Sequence, residues 1–422
     1  MSRFLWTQKK HIGPQPRMGH SMTFDSDRNR VILFGGDALG TSLLSDTWEW
    51  DGEDWVQMSD SGPSPRSNAA LVYDTERKCT LLFGGNTGST VTGDTWQWDG
   101  ENWTQVADSG PSSRSGHAVV FDSKQKVALL FGGEIPATVS GVVTSIALND
   151  TWEWDGSDWT QHENIGPSAR KAHAMAFDSG RTRTVLFGGE GADNVALNDT
   201  WEWDGTTWKH ITDIGPGFCC SGAMAFAGSH TIFFGGLNPN AADGPVVLGS
   251  TWEWDGKHWT DRQDFGPGAK WQHGMAYDSS RKAFVLFGGL SVFGIRTDAG
   301  LSAGLKGDTW EHVEEGDSNN TGTDTGVSMI GIATANEAGT QTQTFGLTES
   351  VIIGVAINQS SSIPINIILT ATGADADKFP VNILIPANTT TGFTTIAPGN
   401  SSQTIVQASL GSQTLTVTYS RN

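Results

Sequence analysis

Between residues 28 and 288 the apolar positions fall into short runs that end in Phe-Gly-Gly, at Phe34, Phe83, Phe131, Phe187, Phe234 and Phe287. Behind each run, after a polar loop of variable length, comes Thr-Trp, at Trp48, Trp96, Trp152, Trp201, Trp252 and Trp310. Each unit opens on a Gly-Pro turn (Gly13, Gly62, Gly110, Gly166, Gly215, Gly266) and continues into a strand such as His117 to Phe121. A short turn leads to the strand ending in the two glycines, and the Trp-x-Trp strand follows. An Asp-Gly turn, as at Asp51 and Gly52, joins that strand to a fourth one starting near Trp55, which is hairpin chemistry for antiparallel strands. Four short antiparallel strands, repeated six times, predict the blades of an all-β six-bladed β-propeller. No single unit can cover its own apolar faces, so the blades fold only against one another.

The sixth unit is incomplete. After Trp310 it reads Glu311, His312, Val313, without the second tryptophan or the Asp-Gly turn, so its fourth strand is missing. Phe4, Leu5, Trp6, Thr7 and Gln8 match Asn102, Trp103, Thr104 and Gln105 of the second unit and run into the first Gly-Pro turn. The N-terminal strand is therefore expected to close the ring, with Trp6 beside Trp310, which removes the open sheet edges. Four apolar residues before a double glycine, with tryptophan at a set distance behind, resemble the kelch repeat, and the resemblance covers residues 1–315.

Residues 316–326 read as a Gly, Asp, Ser, Asn and Thr linker. Tryptophan is absent beyond it, and residues 327–422 show alternating runs: Ile365, Ile367, Leu369; Val381, Ile383, Ile385; Leu415, Val417, Tyr419. Such alternation marks half-buried strands, and about seven of them predict a β-sandwich. The run from Phe379 through Asn388, followed by Ala408 to Gly411, resembles bacterial Ig-like surface modules, with Asn388 where that pattern has glycine. The resemblance implies an extracellular spacer or adhesion module, secreted or at the cell surface. The chain itself shows neither a signal-peptide run nor an anchor.

Composition narrows the partners. A net charge of −20 speaks against nucleic acid and anionic lipid, whose binding rests on lysine and arginine. No stretch of about 20 apolar residues could insert into a bilayer as a helix. The three cysteines, two of them adjacent, make no disulfide framework. No cofactor is expected. Equivalent histidines at His20, His117, His173 and His273 follow the Gly-Pro turns, but positions repeated around a ring do not converge on one atom, so they predict inter-blade hydrogen bonds and not a metal site. Kelch-type propellers include copper radical oxidases. Here Tyr73 and Tyr277 occupy the inner-strand positions held elsewhere by phenylalanine, and Tyr419 is in the tail, which excludes that chemistry.

Tryptophans two apart share one face of a strand, so they are expected to pack between blades; only Trp271 falls outside the repeat positions. Arg17, Arg66, Arg114 and Arg170 recur in the Gly-Pro turns, and Asp46, Asp94, Asp150 and Asp199 recur before Thr-Trp. The fifth unit has Cys219 and Ser250 at these places, so both partners vanish together, as a buried ion pair requires. Candidate ligand contacts are Trp271 with Lys270 beside it, and the long loops after the third and sixth double glycines, with Glu134 and Ile135 on the first and Phe293 and Arg296 on the second. These loops open on the same face as the connections between blades. The chain is thus expected to be a non-catalytic recognition scaffold for a protein or glycan, with the tail as spacer or second contact. Two alternatives stand beside it: a sugar-acid epimerase or lyase using Arg296, Lys270 or Glu134, as in other kelch-type sugar enzymes, and a structural part of a surface or phage assembly.

Overall fold

The structure, a computed structural model, describes residues 6–10, 13–39, 43–139, 142–162, 165–262, 266–291 and 304–313, together with the strands of segment 329–421. No α-helix occurs among the described residues. The chain groups into two compact units, one of residues 9–261 and 269–309, the other of residues 1–8, 262–268 and 310–422.

Six four-stranded antiparallel sheets form the propeller. The first runs in the order Ser21–Asp25, Arg30–Asp37, Leu43–Trp50 and Trp55–Ser59, and the next four repeat this order with their own hairpins. In the sixth, the order is Gly274–Asp278, Ala283–Phe287, Thr309–Val313 and then Thr7–Lys10. The N-terminal strand thus takes the fourth place, as the missing Asp-Gly turn implies. Trp6 is fully buried, lies over Gly266 and has its ring 5.8 Å from that of His312. In the other blades the fourth-strand tryptophan lies over the Gly-Pro glycine in the same way, as Trp55 does over Gly13.

The seams between blades explain most of the repeated residues. In four seams the phenylalanine before the double glycine packs edge-on against the fourth-strand tryptophan of the next blade: Phe34–Trp103, Phe83–Trp159, Phe131–Trp208 and Phe287–Trp55, with centroids 5.3, 5.2, 5.2 and 5.4 Å apart. That tryptophan also donates its indole N–H back to the threonine of Thr-Trp in the previous blade: Trp103 to Thr47 at 2.8 Å, Trp159 to Thr95 at 3.0 Å, Trp208 to Thr151 at 3.0 Å and Trp259 to Thr200 at 2.9 Å. A buried indole N–H without an acceptor would cost about 1–3 kcal/mol, so the threonine is as necessary as the ring.

The double glycine serves the same seam. The second glycine donates its N–H to the carbonyl of the arginine-position residue in the next blade, from Gly36 to Arg66 and onward around all six blades at 2.8–2.9 Å. The first glycine, with φ near +64° at Gly35, sits so close that an added Cβ would meet Arg66 O at 2.7 Å. Only glycine meets both conditions.

On the opposite side, the first hairpin of five blades sends a side chain onto the next blade's Asp-Gly turn. The Arg28 guanidinium lies against Gly100, Arg77 against Gly156, Arg181 against Gly256 and Arg281 against Gly52, while Gln125 donates to Gly205 O at 3.0 Å. The fifth blade has a shortened first hairpin at Gly228 and Ser229, and its neighbour, the sixth blade, has no Asp-Gly turn in its sequence.

The second unit's C-terminal strands form a three-stranded sheet (Met329–Ala335, Val351–Ile357, Thr391–Ile396) and a five-stranded sheet of Thr344–Phe345, Gln413–Arg421, Gln403–Leu410, Ile365–Gly373 and Asn382–Ile385.

Candidate functional site

The face that carries the interblade connections and the second-to-third-strand loops is organised around its centre. Six residues immediately before the inner strands, Gly19, Asn68, Gly116, Ala172, Ser221 and Gln272, all have left-handed backbones, with φ between +52° and +65°. Each donates its N–H to the carbonyl of its counterpart in the preceding blade: Asn68 to Gly19, Gly116 to Asn68, Ala172 to Gly116, Ser221 to Ala172, Gln272 to Ser221 and Gly19 back to Gln272, at 2.7–2.9 Å. The circle closes without an end. With neighbours about 4.8 Å apart, the usual spacing of hydrogen-bonded backbones, a hexagon has a radius of about 4.8 Å. The circle surrounds the axis at this end and carries three polar side chains, those of Asn68, Ser221 and Gln272.

Just outside it lie the ion-pair clamps. Arg114 donates to Asp150 with both terminal nitrogens, at 2.6 and 2.7 Å, and to Gly132 O at 2.9 Å; Trp152 donates to the same aspartate at 2.7 Å. Arg17–Asp46, Arg66–Asp94 and Arg170–Asp199 repeat this arrangement, each arginine being fully buried. Burial alone would raise these aspartates, but the guanidinium and indole bonds outweigh it and hold Asp46, Asp94, Asp150 and Asp199 below their ordinary range. In the fifth blade Cys219 is buried in an apolar cluster with Phe187, Phe233 and Trp254, so the charge pair is replaced by packing.

Lys270 belongs to this set. Its side chain is buried and its ammonium lies 3.2 Å from Asp308, completing the sixth clamp. Burial lowers its pKa, and Asp308 offsets this only in part. Its ammonium is thus engaged in the clamp.

The histidines sit in the seams. His117 Nε2 is 3.2 Å from Phe83 O of the preceding blade, and His20, His173 and His273 take the same station against Phe287, Phe131 and Phe234, with centroids 5.4–5.6 Å apart. Burial, and then the neighbouring clamp cation, pushes His20, His117 and His173 down to about 3 and His273 well below its ordinary value. No cluster of three or more metal-ligating side chains occurs among the described residues.

The remaining candidates divide as follows. Glu134 accepts from Lys171 at 2.8 Å, and Glu190 lies 3.4 Å from the same ammonium, so the lysine is shared between the loops of the third and fourth blades. Burial opposes the lysine charge, but the two carboxylates outweigh it and raise its pKa. Ile135 is half-buried in a two-stranded hairpin, Glu134–Val139 with Val142–Ala147, where it faces Ile146. Trp271 is half-buried, and its backbone pairs with Leu290 in both directions at 2.9–3.0 Å. Phe293 and Arg296 lie outside the described residues.

Ile146 on the third loop and Phe218 at the fifth turn stand out in the sequence, but they belong to a longer row of exposed apolar side chains on this face whose other members, Ile165, Val195, Ile214 and Val246, sequence reasoning missed; all six are 40–84% exposed. They were legible once the repeats are aligned on the bonds that tie each loop to the next blade, from Arg170 N to Leu148 O, Cys219 N to Leu197 O and Lys270 N to Leu248 O. Ile146, Val195 and Val246 each stand two residues before those leucines, and Ile165 and Ile214 five residues before Arg170 and Cys219.

Comparison with known proteins agrees with this architecture. Residues 1–163 match the KLHDC2/KLHL20/DRC7 Kelch-repeats domain. No curated protein matches the chain. Among solved structures, "Structure of YjhT" superposes with a TM-score of 0.56 at 13% identity, covering 73% of this chain and 97% of the other, a likeness of fold alone.

Proposed function

From a chain that carries a kelch-repeat domain built as a six-bladed β-propeller, we propose a non-catalytic recognition scaffold that binds a protein through its loop-rich face. The observation that carries this reading is the distribution of side chains. The buried arginines, aspartates, histidines and most tryptophans are engaged in clamps and seams, whereas six of the ten exposed large apolar side chains among the described residues lie on the loops and connections of one face. Apolar side chains held at the surface by a rigid frame mark an interaction site. Trp271 and Ile135, half-buried at the edge of that face, would contribute contact area, with Phe293 and Arg296 on the sixth loop. Kelch propellers commonly serve as protein-binding scaffolds, which favours a protein over a glycan. The segment 327–422 is read as an Ig-like spacer or second contact, a role that suits a secreted or surface protein.

The test sets a protein-display library beside a glycan array, using the full chain, the Trp271→Ala variant and a variant whose 135–146 hairpin is replaced by a Gly-Ser turn. Selected protein ligands that lose affinity in either variant, with a blank glycan array, are the expected result. Glycan binding alone, protein ligands indifferent to both changes, or turnover of a uronic or sialic acid by the purified chain would overturn the reading.

A further inference from the structure

We infer that the loop-rich face recognises its protein partner chiefly over the third to fifth blades, and that the partner's contacting surface is aliphatic or aromatic and flanked by lysine or arginine. This rests on the reading of that face as a protein-binding surface.

The first ground is a comparison of the molecule with itself. The loop position two residues before the bonded leucine holds Ile146, Val195 and Val246 in blades three to five, but Ser42, Thr90 and Gly304 in the others. The connection position five residues before the clamp holds Ile165 and Ile214 at the entries to blades four and five, but Ser61 and Ser109 at the entries to blades two and three; in the sequence it holds Ile12 and Phe265 at the entries to blades one and six, both outside the described residues. The frame is the same at each place, so it does not require an apolar side chain there. These residues are also exposed, Ile214 by 84% and Ile165 by 73%, and so contribute little to folding. At the loop position, three consecutive sectors are apolar where their counterparts are polar or bare.

The second ground is charge. The loops and connections of this arc carry Glu134, Glu190, Asp193, Asp213 and Asp243, with Asp193 and Asp243 exposed and Asp213 beside His210 at 2.7 Å. Their cations are Arg170, buried against Asp199, and Lys171, held between Glu134 and Glu190. No cation of these segments is left over to meet an acidic partner. Loops of Asn194 and Asn240 also bind each other across blades four and five, with Asn240 accepting from Ala196 N at 2.8 Å. That link presents Val195 and the neighbouring connection as one surface. An aliphatic row edged with carboxylates complements an apolar surface edged with lysine or arginine, and repels an acidic one.

The probe is a displayed library of random 16-residue peptides selected on the full chain. Enriched peptides should combine Ile, Leu, Val or Phe with Lys or Arg, and should bind at least tenfold more weakly to the Ile165→Ser, Val195→Ser, Ile214→Ser triple variant. Asp193→Lys with Asp243→Lys, which leaves the apolar row intact, should weaken binding at least fivefold, while Ser61→Ala with Thr90→Ala should leave it unchanged. Enriched peptides without basic residues, a triple variant with unaltered affinity, or no enrichment over the empty support would overturn the inference. Peptides that map to blades one and two would overturn it as well while leaving recognition by the loop-rich face standing.

Discussion

Trp55 donates its indole N–H to Thr309 Oγ1 at 2.8 Å, across 254 positions of sequence. The bond joins the first blade to the last, and the same bond recurs between neighbouring blades elsewhere in the ring. Thr309→Val keeps the shape of the side chain but removes the acceptor. It should lower the unfolding free energy by about 1–3 kcal/mol in chemical denaturation, and Thr309→Ser should restore most of the loss. An unchanged midpoint for the valine variant would show that the indole finds another partner.

The clamps make a second prediction, for which the fifth blade supplies the precedent. Removing one partner of the third clamp, as Arg114→Cys or Asp150→Ser, leaves a largely buried charge and should cost about 3–5 kcal/mol. The double variant Arg114→Cys, Asp150→Ser reproduces the Cys219 and Ser250 combination of the fifth blade. It should be much less destabilised than the sum of the two, with a coupling energy of at least about 1 kcal/mol in a double-mutant cycle. Additive losses would mean that the pair is not one structural unit.

Acid should weaken the propeller in two stages. His20, His117 and His173 have folded values of about 3 against 6.5 when unfolded, and His273 is shifted the same way. Below pH 6.5 the unfolded chain binds protons that the folded chain refuses, so stability is full above 6.5 and declines as pH falls toward about 3. Each histidine contributes a slope of at most about 1.4 kcal/mol per pH unit. The clamp aspartates, held below their ordinary 3.8, add their loss only under about pH 4, as they become protonated in the unfolded chain first. Melting temperatures between pH 8 and 4 should trace the first stage, and His117→Phe should reduce its slope by roughly a quarter. A flat profile between pH 7 and 4 would contradict the buried neutral histidines.

The closing strand gives a further measurement. Trp6→Ala empties a fully buried site over Gly266 and should cost about 3–5 kcal/mol. Stability within about 0.5 kcal/mol of the parent chain would show that the N-terminal strand is dispensable.

Much of this was legible because the molecule repeats itself. The period exposes the blades, and the truncated sixth unit together with the orphan opening strand exposes the closure. The joint loss of arginine and aspartate at Cys219 and Ser250 exposes the clamps. Pairs that cross seams were less legible, since nothing in the spacing tells whether Trp103 reaches Thr47 of the preceding blade or Thr95 of its own. Lys270 was legible in two ways: it stands at the clamp position in the repeat, where the structure pairs it with Asp308, and beside Trp271 on the loop-rich face.

The account depends most on the ring being closed, because that is what assigns the conspicuous residues to architecture and leaves the loops for recognition. Amide hydrogen exchange at Gly19, Asn68, Gly116, Ala172, Ser221 and Gln272 tests this directly. A circle of bonds has no end from which to fray, so all six amides should exchange with one common free energy, equal to that of global unfolding. One of the six exchanging a hundredfold faster than the others would reveal an open seam and contradict the closure.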